Sequence, residues 1–250
     1  MPPSRPAPLI LPATSPPSSP SATAAFIFLH GLGDDAEGVQ SIPQQFQRAE
    51  KLPHLTWILP SAPENHDAGT TAWYIPTGLS PYPPSRPELE DDEDEAGILE
   101  SVGYIAGLIE ELVAQGTPRE RIVLGGFSQG HAVALLTGLA TKSGEGLAGL
   151  VGLSGYMPLS ARVPGLREEA GLAKEVAAGS TTEVFLARGT ADRLVPKRYH
   201  RLCCEAVSGL GVQDTKVTVK EYEGLSHVMG GAELRDLCAW LERIVPDLEE

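Results

Sequence analysis

One pentapeptide near the middle of the chain, Gly126-Phe-Ser-Gln-Gly130, constrains the fold more than any other stretch. It follows a β-rich run over residues 121–125 and precedes an apolar, helix-like stretch over 131–136. A G-x-S-x-G motif between a strand and a helix is typical of a nucleophile elbow, a strained turn that holds the serine hydroxyl above the sheet. The sequence therefore predicts an α/β fold with Ser128 as a candidate nucleophile; the alternative is an ordinary Gly/Ser loop.

A nucleophilic serine needs a base, and in this fold the histidine follows the serine in the chain. Three histidines follow Ser128: His131, His200 and His227. His131 lies on the elbow helix and is expected to point away from the hydroxyl, while His200 lies in a charged run typical of a solvated helix face. His227 follows an alternating strand pattern over 216–222, at the strand end where catalytic residues collect. His227 is therefore the candidate base; the alternative is a loop histidine that caps the next helix.

The acid that orients the base is expected between the serine and the histidine. A strand pattern over residues 183–187 leads into a turn that carries Asp192, so this carboxylate lies near a strand end. Six competing carboxylates of the window have no strand end to position them: Glu168, Glu169, Glu175, Glu183, Glu205 and Asp214. Asp192 is the candidate acid, and its alternative role is an Asx turn or a helix N-cap ahead of Val195.

An acyl-transfer site also needs backbone donors for the oxyanion. One is the amide of Gln129, directly after the candidate nucleophile, and the second is expected in the loop after an early strand. The buried-strand pattern of residues 24–29 is followed at once by His30-Gly-Leu-Gly-Asp34, which makes the amide of Leu32 the candidate. His30 is expected to hold this loop by hydrogen bonds rather than to act as a fourth catalytic group.

Taken together, these motifs resemble those of the acyl-protein thioesterases in the phospholipase/carboxylesterase family. The matching stretches are residues 28–34, 122–130, 153–159 and 189–196, with weaker matches at 72–74, 94–98 and 221–227. The resemblance covers about residues 24–246. It implies an α/β-hydrolase fold with a mainly parallel central sheet, flanking helices and small lid loops. It also implies a triad of Ser128, Asp192 and His227 that uses no cofactor, with oxyanion amides at Leu32 and Gln129.

The resemblance implies hydrolysis of long-chain acyl thioesters on S-acylated proteins. A broader carboxylesterase or lysophospholipase on lipid or small esters shares every catalytic residue and stays open. A binding protein without turnover predicts damaged motifs, and none is seen. The apolar residues expected to line an acyl channel are Trp73, Ile75, Tyr156 and Leu194. The alternative for Trp73 and Tyr156 is a place at the edge of the core.

Three stretches depart from the family pattern. His131 stands where the family usually has a small residue, so it narrows the space behind the elbow or adds a titrating group. Residues 75–87 are rich in proline, and residues 228–231 are less polar than expected. The lid and the acyl channel are therefore expected to differ from those of relatives.

Composition excludes several classes of protein. A length of 250 residues is enough for one core, and a net charge of −14 argues against nucleic-acid binding. Three cysteines, two of them adjacent, give no disulfide framework and predict a reducing, cytoplasmic location. The chain has no run of 18 apolar residues, so a transient contact with a membrane surface is the most that is expected. The Cys and His residues show no metal-ligand spacing, which predicts no metal.

The domain organisation is expected to be a disordered tail followed by one catalytic domain. Residues 1–23 hold eight prolines and five serines, and residues 24–250 form the predicted α/β-hydrolase domain. The acidic run over 88–95 is expected to be a solvated loop and helix start; the sharper alternative is that it attracts basic protein substrates. Six strands are predicted near 24–29, 55–60, 121–126, 147–153, 183–188 and 216–222, and four helices near 97–115, 129–142, 197–209 and 231–245.

Overall fold

The structure, a computed structural model, describes residues 5–82 and 92–248. Its centre is a seven-stranded sheet in the order β1-β3-β2-β6-β7-β8-β9, in which β1 is antiparallel to its neighbour and the others are parallel. Strands β4 and β5 form a separate antiparallel pair. The strands are β1 Leu9–Leu11, β2 Ala24–Leu29, β3 Leu55–Leu59, β4 Glu64–Asn65, β5 Thr70–Thr71, β6 Ile122–Phe127, β7 Gly149–Leu153, β8 Glu183–Gly189 and β9 Val217–Tyr222.

Helices cover both faces of the sheet, which is why the central strands are apolar on both sides. The helices are α1 Ala36–Val39, α2 Ser41–Arg48, α3 Glu95–Ala114, α4 Gln129–Ala140, α5 Val163–Glu169, α6 Lys197–Gly209 and α7 Gly231–Ile244. One core contains residues of α3, α4, α5 and α6, and the other contains residues of α1, α2 and α7. In β2 the side chains alternate, with Ile27 in the first core and Phe26 and Phe28 in the second. The predicted fold class, a mainly parallel sheet flanked by helices, is confirmed.

The prediction of a disordered tail over residues 1–23 is wrong for its middle part. Leu9–Leu11 forms strand β1, which pairs with β3 at the edge of the sheet and buries Leu11. Arg5 stacks on the rings of Trp73 and Tyr104. The edge of β3 supplies backbone partners that a short segment cannot find within itself, so pairing orders a stretch whose composition is typical of disorder. Residue 24 is therefore not the start of the folded unit.

All six predicted strands and four predicted helices are present. Sequence reasoning did not find the short elements β1, β4, β5, α1, α2 and α5, which lack a run long enough to show a period. Residues 88–91 of the acidic run lie outside the described residues. At its end, Asp94 accepts a hydrogen bond from Gly97 N–H at 3.0 Å and caps the start of α3, as expected of an acidic helix start.

Candidate active site

The turn between β6 and α4 has the strained geometry of an elbow. Ser128 has φ 56° and ψ −117°, a positive φ that a non-glycine residue rarely adopts. Gly126 and Gly130 face each other so closely that a Cβ on either would overlap the backbone of the other or of Leu29. The glycines therefore let β6, α4 and the end of β2 meet, and this packing holds Ser128 in its strained conformation.

The parallel strands end at one edge of the sheet, and their loops bring three predicted residues together. Nε2 of His227 lies 2.9 Å from Oγ of Ser128, and its Nδ1 lies 2.8 Å from Oδ2 of Asp192. Because Asp192 is an acceptor, Nδ1 carries the proton and Nε2 is free to accept one from the serine. These contacts form a continuous hydrogen-bonded series from the hydroxyl to the carboxylate.

Asp192 also fills the alternative role predicted for it, because its Oδ1 accepts hydrogen bonds from the amides of Leu194 and Val195, both at 2.9 Å. Burial alone raises the pKa of this carboxyl. The hydrogen bonds from His227 and the two amides outweigh burial and hold its pKa below the ordinary value. The carboxylate is therefore ionised at neutral pH, with one oxygen fixed by the turn and the other directed at His227.

The loop that carries His227 is tied to the loop that carries Asp192. The amide of Ala191 donates to the carbonyl of Leu225 at 3.0 Å, and the amide of Gly224 donates to Oγ1 of Thr190 at 2.8 Å. The imidazole also lies against the ring of Phe127, with ring centroids 4.8 Å apart. The contacts between the loops that follow β8 and β9 thus fix the imidazole of His227 relative to the carboxylate of Asp192.

The two predicted oxyanion residues, Leu32 and Gln129, line the same cavity as Ser128. Gln129 is the first residue of α4, so its amide has no acceptor within the helix, and Leu32 follows β2 on the neighbouring loop. His30 is buried, its Nδ1 lies 2.7 Å from the carbonyl of Gly31, and its Nε2 accepts a hydrogen bond from Ala62 N–H at 2.9 Å. Burial lowers the pKa of His30, so the neutral ring holds this loop in the structural manner expected.

A cavity of about 320 Å³ opens beside Ser128 and His227. Two of the four predicted channel residues, Tyr156 and Leu194, line it. Sequence reasoning missed Phe127, at the end of β6, and five lining side chains of irregular segments, which have no period that shows which side faces inward: Tyr74, Pro76, Thr77, Leu79 and Val195.

The prediction that Trp73 and Ile75 line the channel needs correction. Trp73 is buried behind the cavity, where its indole N–H donates to the carbonyl of His30 at 2.9 Å. Its amide donates to Oε1 of Gln129 at 3.0 Å, and Nε2 of Gln129 donates to the carbonyl of Tyr74 at 2.8 Å. These bonds turn Trp73 into the core and Tyr74 into the cavity, while Ile75 is partly exposed outside it.

His131 points away from Ser128, as expected, and is completely buried behind the elbow. Its ring packs against Gly152 and Gly155, and its Nε2 lies 3.6 Å from Sγ of Cys203. Burial lowers the pKa of His131 to about 3, so it stays neutral at physiological pH. The expectation of a solvated face at His200 is wrong: it is buried, and burial lowers its pKa to about 4.

Within residues 5–82 and 92–248, no group of three His, Cys, Asp or Glu side chains has the arrangement of a metal site. In the same ranges no helix has the length and apolar character needed to cross a membrane. Cys203, Cys204 and Cys238 are free thiols.

Known proteins resemble this chain along nearly its whole length. The profile of the phospholipase/carboxylesterase family matches residues 12–245. Acyl-protein thioesterase 1 of Emericella nidulans is 37% identical over 245 residues, 96% of each chain, and acyl-protein thioesterase 1 of Yarrowia lipolytica is 35% identical over 94% of this chain and 98% of its own. The crystal structure of Arabidopsis thaliana SOBER1 superposes with a TM-score of 0.73 at 28% identity, covering 89% of this chain and 99% of that one.

The matched region includes every strand that ends at the candidate site, together with the elbow and the loops that follow β2, β8 and β9. The family resemblance and the fold that it implied are thereby confirmed. The chain is a hydrolytic enzyme with an α/β-hydrolase fold, and it belongs to the phospholipase/carboxylesterase family.

Proposed function

We propose that the protein is a serine thioesterase that removes long acyl chains from the cysteines of S-acylated proteins. The observation that carries the proposal is the hydrogen-bonded series Ser128–His227–Asp192 beside a largely apolar cavity. The relatives named acyl-protein thioesterase support the thioester as the bond that is cleaved.

In the first half of the reaction, Oγ of Ser128 attacks the thioester carbonyl carbon while Nε2 of His227 takes the hydroxyl proton. The oxyanion accepts hydrogen bonds from the amides of Leu32 and Gln129; loss of one such donor typically costs about 3–4 kcal/mol of transition-state stabilisation. The C–S bond then breaks, and His227 returns the proton to the leaving thiolate. Asp192 holds the imidazole tautomer and stabilises its cation.

In the second half, His227 removes a proton from water, and the resulting hydroxide attacks the acyl ester on Ser128. Collapse of the second tetrahedral intermediate returns the proton to Oγ of Ser128 and releases the fatty acid. The triad thus completes the cycle with its own groups.

The cavity supports a long apolar acyl group. Its wall carries Leu79, Phe127 and Val195, and each methylene that leaves water for such a surface gains about 0.8 kcal/mol. Leu32 (43% exposed), Leu194 (68%) and Val228 (51%) follow β2, Asp192 and His227 and form an apolar rim around the site. This rim supports transient contact with a lipid surface, and the three free thiols support a reducing, cytoplasmic location.

The test is hydrolysis of matched ester and thioester series with short to long acyl chains, by wild type and Ser128→Ala. We expect wild type to prefer long-chain thioesters and the variant to be inactive while remaining folded by circular dichroism. A preference for short esters would instead identify a general carboxylesterase. Absence of turnover together with no labelling of Ser128 by a fluorophosphonate probe would refute the enzyme mechanism.

The rim is tested separately with Val228→Gln, because Val228 does not line the cavity. We expect this variant to bind less to phosphatidylcholine vesicles and to keep wild-type turnover of a water-soluble thioester. Equal vesicle binding by both proteins would show that the rim does not contact lipid.

A further inference from the structure

Glu233 is a completely buried carboxyl in the first turn of α7, with 0% of its surface exposed. Its Oε2 accepts a hydrogen bond from the amide of Gly230 at 3.2 Å. Its Oε1 has no hydrogen-bond partner among the residues that the structure describes. An acid that is buried with one unpaired oxygen is unfavourable for stability, which separates Glu233 from the ordinary exposed acids of helix N-termini.

Gly230 is the last residue of the loop that carries His227. The other end of this loop is held at Thr190 and Ala191, as described for the β8 turn. The side chain of Leu225 packs against Gly230, and a Cβ added to Gly230 would lie only 2.9 Å from it. Two hydrogen bonds join Gly230 to the long helix α7: the main-chain bond from Leu234 N–H to the Gly230 carbonyl at 2.9 Å, and the bond from Gly230 N–H to Glu233, which is the one made by a side chain.

We propose that Glu233 is a positioning residue for His227: with the positive end of α7, its carboxylate fixes Gly230 and so holds the imidazole against Ser128. The proposal rests on the function proposed above, because it takes His227 as the base. It assigns to Glu233 an effect on the rate of the chemical step rather than on acyl binding, since Glu233 does not line the cavity.

The surroundings of Glu233 make this tie sensitive to pH. Burial raises its pKa to about 7, against the opposing effect of the Gly230 amide. Tyr222 faces it from β9, and burial, Asp236 and Glu233 together raise the pKa of that phenol. Asp236, one turn along α7, accepts from Tyr222 Oη at 3.0 Å and pairs with Lys220 at 3.3 Å. An ionised Glu233 accepts the Gly230 N–H more strongly than a neutral one and interacts favourably with the helix dipole.

The test compares wild type with Glu233→Gln, which has the shape of the protonated acid and cannot ionise. The rate of Ser128 labelling by a fluorophosphonate and the kcat and KM on a soluble thioester are measured from pH 5.5 to 8.5. We expect equal labelling rates at pH 5.5 and a wild-type advantage of about two- to fivefold at pH 8.5, the effect of one charge at a helix N-terminus. The kcat should follow the labelling rate, and KM should not change.

Asp236→Asn is the matched control, because it removes a partly exposed carboxylate from the same helix and should keep the wild-type profile. Circular dichroism at each pH keeps unfolding out of the comparison. A ratio of wild type to Glu233→Gln that is constant with pH would overturn the inference, as would an equal effect in Asp236→Asn. A wild type that is not labelled at any pH would instead refute the proposed function, and the inference with it.

Discussion

Replacing His131 by leucine is expected to remove part of the acid sensitivity of the fold. The pKa of His131 is about 3 in the folded protein and about 6.5 in an unfolded chain, so the unfolded state binds the proton more readily. A histidine whose pKa is lower in the folded state than in the unfolded state causes little destabilisation above pH 6.5. It opposes folding progressively as the pH falls toward 3. Leucine has a similar volume and does not titrate.

The magnitude follows from proton linkage. Between pH 7 and pH 5, the unfolded state gains about 0.7 of a proton on His131 and the folded state gains almost none; integrated over the interval, this lowers the free energy of unfolding by about 2 kcal/mol. The loss to pH 5 is set mainly by the unfolded-state pKa, because pH 5 is still well above the folded value. Wild type should therefore lose about 2 kcal/mol more than His131→Leu over this interval.

The assay is urea denaturation at pH 7 and pH 5, with the free energy of unfolding extrapolated to water for each protein. The absolute stabilities at pH 7 do not enter, since loss of the Cys203 contact changes them separately. His66→Gln is the control, because His66 is exposed and should leave the wild-type difference intact. If wild type and His131→Leu lose the same free energy from pH 7 to pH 5, the assignment of a buried neutral imidazole is wrong.

Three further predictions test other parts of the site. Ser128→Gly should abolish turnover and raise the free energy of unfolding by about 1 kcal/mol in thermal or urea denaturation, because glycine relieves the positive φ; an equally stable variant would show that the elbow stores no strain. Gln129→Leu should lower the free energy of unfolding by about 2–4 kcal/mol and flatten the acyl-chain preference, because the main-chain N–H of Trp73 and the carbonyl of Tyr74 lose their hydrogen-bond partners. An unchanged chain-length profile would contradict this. Leu11→Asp should destabilise by about 2–3 kcal/mol in urea, whereas a disordered tail would show no effect.

The sequence predicts which residues of the candidate site come together well where strands end and poorly where the chain is irregular. Ser128, Asp192 and His227 each follow a strand with a clear apolar or alternating pattern, so the order of elements was enough to bring them to one edge. Trp73 and Tyr74 are adjacent in a segment without a period. Which of them enters the cavity depends on hydrogen bonds that Trp73 donates to His30 and Gln129, residues far away in the sequence.

The prediction of a disordered tail over residues 1–23 was wrong for a related reason. Leu9–Leu11 is too short and too rich in neighbouring prolines to indicate a strand alone, and the partners that order it belong to β3, nearly fifty residues later. Composition describes what a segment can do by itself. It does not show whether a strand elsewhere in the chain has unpaired main-chain N–H and C=O groups with which the segment can pair.

Buried titrating groups have opposite effects on how the free energy of unfolding depends on pH. One of them is Glu233, so the stability of the protein is linked to the positioning role proposed for that residue. Between pH 5 and 6, the unfolded state binds one more proton than the folded state at His131 and at His200, and one fewer at Glu233, whose pKa is raised to about 7. These three groups together make the free energy of unfolding rise by about 1 kcal/mol per pH unit.

Glu233→Gln removes the group whose proton binding opposes that of the two histidines. The free energy of unfolding of this variant should therefore rise with pH, between pH 5 and 6, about twice as steeply as these three groups make it rise in wild type. The same variant should be up to about 3 kcal/mol more stable than wild type at pH 8, where the buried carboxylate is ionised at a cost to folding. A protein that gains stability at pH 8 while losing labelling of Ser128 has not lost activity by unfolding. Urea denaturation at pH 5, 6 and 8 measures both effects, and a Glu233→Gln variant that is less stable than wild type at pH 8 would show that the buried acid serves stability instead.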